Sequence, residues 1–211
     1  MDFSTTPRPT FGNSRPAFGR LQQHCEDLTN PFKGKAAIRR ALMFKEAAEL
    51  LTALPGPGES VHCIQSGNVD LCVILMAILD MHPAPCLTLR IATLCWAKRN
   101  CVELLAALES KKIGTLTLLA SNFFKSHYKE LDQWFRDELA AFPGSRTATA
   151  RSHCKVVCID FADGSALVLE GSANLRSNHN LEQLTISRDR DLHDWYAAWI
   201  DAQMGVNDGG K

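Results

Sequence analysis

From residue 59 onward the chain alternates short apolar, β-branched runs with stretches of helical period, and that alternation confines it to a sheet covered by helices. Val61 to Ser66 reads as a strand, and Asn68 can cap a helix running through Leu79. Leu87 to Cys95 is a second strand, followed by a helix from Lys98 to Lys111 whose Val102, Leu105 and Leu108 share a face. Gly114 to Ala120 and a helix from Ser126 to Phe142 make a third unit. Three strand–helix units in succession imply parallel strands with helices packed on them. The pattern then changes. Thr147 to Phe161 and Ser165 to Leu169 read as strands joined by the hairpin signal Ala162-Asp163-Gly164. A strand from Glu182 to Ser187 precedes a last helix, Asp189 to Met204, with Trp195, Tyr196 and Trp199 as core residues at helical spacing. The expected fold is α/β: a mixed, largely parallel sheet flanked by helices on both faces, with a C-terminal β-hairpin.

A chain of 211 residues is one ordinary domain with room for a tail, long enough to bury a core without a disulfide or metal staple. Residues 1–35 hold four prolines, three glycines and five basic residues against three acids, which reads as an irregular basic arm. Residues 36–58 read as an N-terminal helix ended by Pro55-Gly56-Pro57-Gly58, residues 59–204 as the main domain, and 205–211 as a flexible tail. Lys and Arg number 23 and Asp and Glu 23, so bulk charge argues for neither nucleic acid nor an acidic membrane; any anion site must be local. None of the eight cysteines forms a C-x-x-C pair, and most sit in apolar stretches. They read as reduced, buried small hydrophobes, and no metal or cofactor is expected. The opening Met1 to Pro7 lacks a signal pattern, and the longest apolar run, Leu71 to Leu79, is too short to span a bilayer. The expectation is a cytoplasmic protein without a membrane anchor.

The chemistry concentrates between His153 and Gln183. On a strand, His153 and Lys155 would share a face about 7 Å apart, and an imidazole beside an ammonium suits phosphate chemistry. Asp160 has the opposite parity, so a structural role fits it better. After the hairpin, Ser172 and Asn174 share parity and offer a hydroxyl and an amide to phosphate oxygens or to an imidazole, while Gly171 permits close backbone approach. Glu182 supplies a carboxylate able to orient a histidine.

These residues resemble the signature of the phospholipase D superfamily, H-x-K-x4-D followed by G-S-x-N. His153, Lys155 and Asp160 match the first part, Gly171, Ser172 and Asn174 the second, and Asn180 with Glu182 an N-x-E element after it. The ten residues between Asp160 and Gly171 exceed the shortest family versions, which the Asp163-Gly164 turn explains as a longer hairpin. The resemblance implies a metal-independent phosphodiesterase in which one histidine attacks phosphorus and a second protonates the leaving oxygen. His127-Tyr128-Lys129 spells H-x-K, but Trp134 stands at the aspartate position and no G-S-x-N follows, so this chain has one complete motif. A homodimer that brings two copies of His153 together is therefore expected, resembling the compact bacterial nucleases of the family. Lys155 and Asn174 would bind phosphate, and Ser172 and Glu182 would orient the histidine.

Nucleic acid is the expected substrate. Ala140 to Ile159 carries Arg146, Arg151 and Lys155 with no acid, and Ser110 to Lys129 carries Lys111, Lys112, Lys125 and Lys129 with none. Arg151 and Arg176 are candidate substrate contacts. Trp96, placed where strand ends collect, is a candidate to stack on a base, with a core or interface aromatic as the other reading. His179 is a rim residue beside the motif. A phospholipase or phosphatidyltransferase, and a silent nucleic-acid-binding member, are the rival functions.

Overall fold

The computed structural model describes residues 42–208 apart from 44, 48, 52, 67–68 and 177–179. The N-terminal arm, the proposed Asn68 cap, the final residues 209–211 and His179 lie outside the described residues. The strands are β1 Ser60–Ser66, β2 Cys86–Thr93, β3 Ile113–Ser121, β4 Arg146–Ala150, β5 Val156–Phe161, β6 Ala166–Gly171 and β7 Leu181–Ser187. The helices are α1 Leu71–Met81, α2 Lys98–Glu109, α3 Asn122–His127, α4 Lys129–Leu139 and α5 Arg190–Asp208.

All seven strands form one mixed sheet in the order β1-β7-β6-β5-β2-β3-β4. β2 pairs with β3 and β3 with β4 in parallel, while β5 joins β2, β6 joins β5, β7 joins β6 and β1 joins β7 antiparallel. Following those pairings, β1, β2, β3, β4 and β6 point one way and β5 and β7 the other. The sheet is therefore largely parallel in direction, yet most neighbours are antiparallel because β5 and β7 are interleaved.

Sequence and structure part at residues 147–161. A single strand over that span would extend about 50 Å, far beyond an ordinary strand. The chain instead leaves β4 at the sheet edge and re-enters as β5 near the centre, three strand spacings away. That gap is about 14 Å at the usual spacing. Residues 151–155 bridge it, so they run across the ends of β3 and β2. The expected helix from 126 to 142 is likewise two helices, broken at Tyr128 (φ −131°, ψ 46°). Ser126 Oγ and His127 Nδ1 both bond the Phe123 carbonyl, at 2.8 Å each, and this side-chain competition accompanies the break.

Each face of the sheet has its own core. Odd residues of β5, Val157 and Ile159, join α1, α2 and α4, whereas Val156 and Cys158 join Ala197, Ile200 and Met204 of α5. Every residue of α1 from Leu71 to Leu79 is buried, so the longest apolar run is an interior helix. Its cap is Asp70, which accepts from Val73 N at 3.0 Å and is also bound by Arg99 and Asn100. Met43, Ala47 and Leu51 belong to the same core, which makes the helical residues before β1 part of the domain. Two burial expectations fail. Trp195 is 64 % exposed on α5, beyond the edge of the apolar stripe that Tyr196 and Trp199 complete. Cys154 is exposed, unlike the buried cysteines at 72, 86, 95, 101 and 158.

Between α5 and the sheet, Asp160 is the centre of an ion-pair network. It meets Arg90 at 2.9 Å, Arg190 at 3.0 Å and His193 at 3.4 Å. Burial pushes its carboxyl up, but hydrogen bonds from His193 and Arg190 and the Arg90 charge outweigh that and hold it at about 2. Burial pushes the His193 imidazole down, but hydrogen bonds to Asp160 and Asp194 raise it above its ordinary value. The Asp160 contribution to stability is therefore full above the ordinary carboxylate range and lost as pH falls through about 2. The His193 contribution is full below about pH 6.5 and lost as pH rises through its raised value. Asp160→Asn should cost about 2 kcal/mol near pH 5, at roughly 1.4 kcal/mol per unit of depression. That deficit should close toward pH 2, which urea denaturation at several pH values measures.

Candidate active site

One end of the sheet collects the candidate residues. The pairings bring Ser66, Thr93, Ser121, Ala150, Val156, Gly171 and Leu181 to the same end, and residues 151–155 cross over it. His153, Lys155, Ser172, Asn174 and Glu182 all lie on segments that start or finish there. Asp160 does not: it sits toward the far end of β5 in the network described above.

His153 and Lys155 precede β5 instead of lying on a strand, and their side chains meet directly. Lys155 Nζ is 2.8 Å from His153 Nδ1 and 3.3 Å from Nε2, and it donates to the His153 carbonyl at 2.8 Å. An ammonium has only protons to offer, so the ring nitrogen it contacts presents a lone pair. Lys155 is 8 % exposed while His153 is exposed. Burial pushes the Lys155 ammonium below its ordinary value, against the pull of the nearby Cys95, Glu182 and Cys154. The lysine is thus a buried cation beneath an accessible imidazole.

The second part of the motif abuts the first through the backbone, as Gly171 N donates to Lys155 O at 3.3 Å. Ser172 Oγ donates to Glu182 Oε2 and accepts from Gln183 N at 3.1 Å. Glu182 is buried across from Gln65 of β1. The buried carboxylate and the buried ammonium of Lys155 lie close enough to influence each other. Asn174 is anchored by its main chain, whose carbonyl accepts from Leu71 N at 3.4 Å. Its carboxamide oxygen is buried with no hydrogen-bond partner among the described residues, so that end of the amide is not committed to the fold. Gly171 owes its identity to a neighbouring strand: a Cβ there would overlap the Gln183 carbonyl of β7.

Of the expected substrate contacts, Arg151 is exposed and lines a groove of about 490 Å³ beside His153. Arg176 is exposed, with Nη1 donating to the Tyr128 hydroxyl at 3.2 Å. Trp96 as a base-stacking residue is corrected: it is 1 % exposed, packed 4.0 Å from Phe124 and 5.9 Å from Phe135 between ring centroids. Its ring has no face left for a ligand. The basic stretches also divide. Lys112 pairs with Asp80 near the start of β3, and Arg146 with Asp201 at 2.9 Å, whereas Lys125 and Arg151 flank the candidate site. The sequence reading missed Asp70, Gln65, Thr93 and Phe123, which all stand at or just past strand ends; Thr93 Oγ1 accepts from Leu175 N at 3.4 Å and fixes the segment after the motif. Strand-end position was the signal that would have found them. Among the described residues no group of three or more His, Cys, Asp or Glu is placed to hold a metal ion, and no helix is long and apolar enough to cross a membrane.

Comparison with solved structures places this architecture. A phospholipase D family member, Nuc from Salmonella typhimurium, superposes with a TM-score of 0.51 at 13 % identity, covering 71 % of this chain and 97 % of Nuc. NucT from Helicobacter pylori gives a TM-score of 0.50 at 16 % identity, covering 70 % of this chain and 97 % of NucT. No family model matches the chain, and no curated protein matches it in sequence. The fold is phospholipase D-like.

Gly171→Ala should destabilise the chain by about 1–3 kcal/mol through overpacking against β7. A fall in the urea midpoint measures it; an unchanged midpoint would show that the β6–β7 approach is less tight than described.

Proposed function

We propose that this chain is a metal-independent phosphodiesterase, an endonuclease of DNA or RNA that works as a homodimer. What carries the reading is the buried Lys155 ammonium held 2.8 Å from an exposed His153 imidazole, on the sheet end that also bears Ser172, Asn174 and Glu182. As the Lys155 ammonium turns from the ring to a phosphate oxygen, it frees the lone pair it holds on His153 of one subunit, which attacks phosphorus, forming a phosphorus–nitrogen bond as the bond to the leaving oxygen breaks. The partner subunit's His153 gives that oxygen its proton. It then takes a proton from water, whose oxygen attacks phosphorus and releases the first imidazole.

In this reading Lys155 and the Asn174 amide hold the non-bridging oxygens as charge develops on them. The lysine is suited to this because it is poorly hydrated, so its charge acts at close range in a site of low dielectric. Ser172 and Glu182 hold the imidazole geometry, and Asp160 serves the fold. The likeness of the architecture to Nuc, a phospholipase D family member, supports the class. The cations Lys125, Arg151 and Arg176 near the site favour a polyanionic strand over a bulk lipid surface.

Cleavage of plasmid, single-stranded DNA or RNA should persist in EDTA, since the two imidazoles supply both nucleophile and acid. His153→Ala should lower the rate by at least about 1,000-fold with little change in melting temperature. A strict Mg²⁺ requirement would overturn the mechanism, and an active species that sizes as a monomer would overturn the dimer. The alkaline limb of the wild-type pH–rate profile should begin below the ordinary lysine range, because burial lowers Lys155, and should shift in Lys155→Arg. A limb that stays in place removes Lys155 from the phosphate site.

A further inference from the structure

The groove beside His153 is lined by Leu94, Asn122, Phe123, Arg151 and Ser152 together with the histidine itself. Phe123 is 53 % exposed, although the adjacent Phe124 is fully buried and already anchors α3 to the core. The fold therefore does not need the Phe123 ring, which stands in solvent on the wall of a groove that ends at a reactive imidazole.

That ring is also held in place. Phe123 N donates to Ser121 Oγ at 3.2 Å, which fixes the first turn of α3. His127, one turn on, backs the phenyl ring with centroids 4.0 Å apart and planes 30° from parallel. The imidazole is itself pinned, with Nδ1 2.8 Å from the Phe123 carbonyl and 2.9 Å from Ser126 Oγ. This accounts for the second H-x-K of the sequence: its histidine is part of an aromatic ledge, and Lys129 opens a different helix. Among the described residues no carboxylate lines the groove, and Arg151 stands exposed on it.

We propose that Phe123, backed by His127, is a stacking platform for an unpaired base of a nucleic-acid strand whose scissile phosphate lies at His153, with Arg151 on a neighbouring phosphate. The proposal rests on the phosphodiesterase reading above and names its substrate class as single-stranded. A bare aromatic face beside the Arg151 guanidinium fits a polyanion that carries flat aromatic groups. A duplex hides its base faces in the stack, and a lipid diester offers no ring.

Binding tests it apart from turnover. In the full chain carrying His153→Ala, the dissociation constant for a labelled single-stranded oligothymidylate should rise about 10-fold on adding Phe123→Ala and stay near its starting value with Phe123→Trp. Toward a strand of the same length whose sugars lack bases, the phenylalanine and alanine forms should bind alike. Equal binding of the base-bearing strand, equal losses on both strands, no measurable binding of either, or a changed particle size in Phe123→Ala would each overturn the platform. Cleavage by the chain with His153 intact is scored separately. Absent cleavage with a Phe123-dependent affinity removes the enzyme and keeps the platform; intact cleavage with a Phe123-independent affinity does the reverse.

Discussion

Everything at the candidate site depends on one crossing of the chain. β4 must end at the sheet edge and β5 must enter between β6 and β2, so five residues span three strand spacings. The six steps from Ala150 to Val156 could reach about 20 Å, more than the gap of about 14 Å, and the slack is taken up by a tight turn in which Ser152 N donates to Ala150 O at 2.9 Å. Along the crossing Arg151, His153 and Cys154 are exposed above the strand ends. Lys155, last before β5, is already at the sheet margin and therefore buried. An exposed imidazole over a buried cation thus goes with the strand order as well as with side-chain chemistry.

The charges of the motif are divided between two places. Lys155 and Glu182 are buried near each other at the site end, where a shared low dielectric strengthens their effect on any phosphate. Asp160 is spent on the opposite concern, tying β2 and β5 to α5 through Arg90, Arg190 and His193. A removed partner there leaves buried charge uncompensated, which makes the network a feature of stability. The same H-x-K-x4-D run thereby places His153 and Lys155 at the candidate site at its start and holds α5 on the sheet at its end.

Much of this was legible along the chain, for reasons that particular residues make plain. The hairpin at Asp163-Gly164 was visible because glycine supplies the positive φ that many tight hairpin connections use, and Gly164 does so at +81°. The structural place of Asp160 was visible, although the face alternation that suggested it holds only within β5, where Val157 and Cys158 separate into two cores, because His153 and Lys155 lie before that strand. The break at Tyr128 was not visible, because the apolar stripe of Phe124, Tyr128, Leu131 and Phe135 continues through it. Trp96 was read as a candidate to stack on a base and is buried, while Phe123, which the reading passed over, is 53 % exposed. Each follows the C-terminal end of a parallel strand, and only the packing of Phe124 and Phe135 against the indole decides which ring is covered.

By itself the order of residues determined the α/β class, the hairpin and the identity of the polar groups in the motif. Those follow from local periods and from turn chemistry, which act over a few residues and leave their mark in composition. Which strand lies beside which, whether residues 147–161 make one strand or two, and which aromatic ring faces solvent were decided only by tertiary structure. Each is a pairing between segments far apart in the chain, and burial belongs to the pair, not to either segment alone.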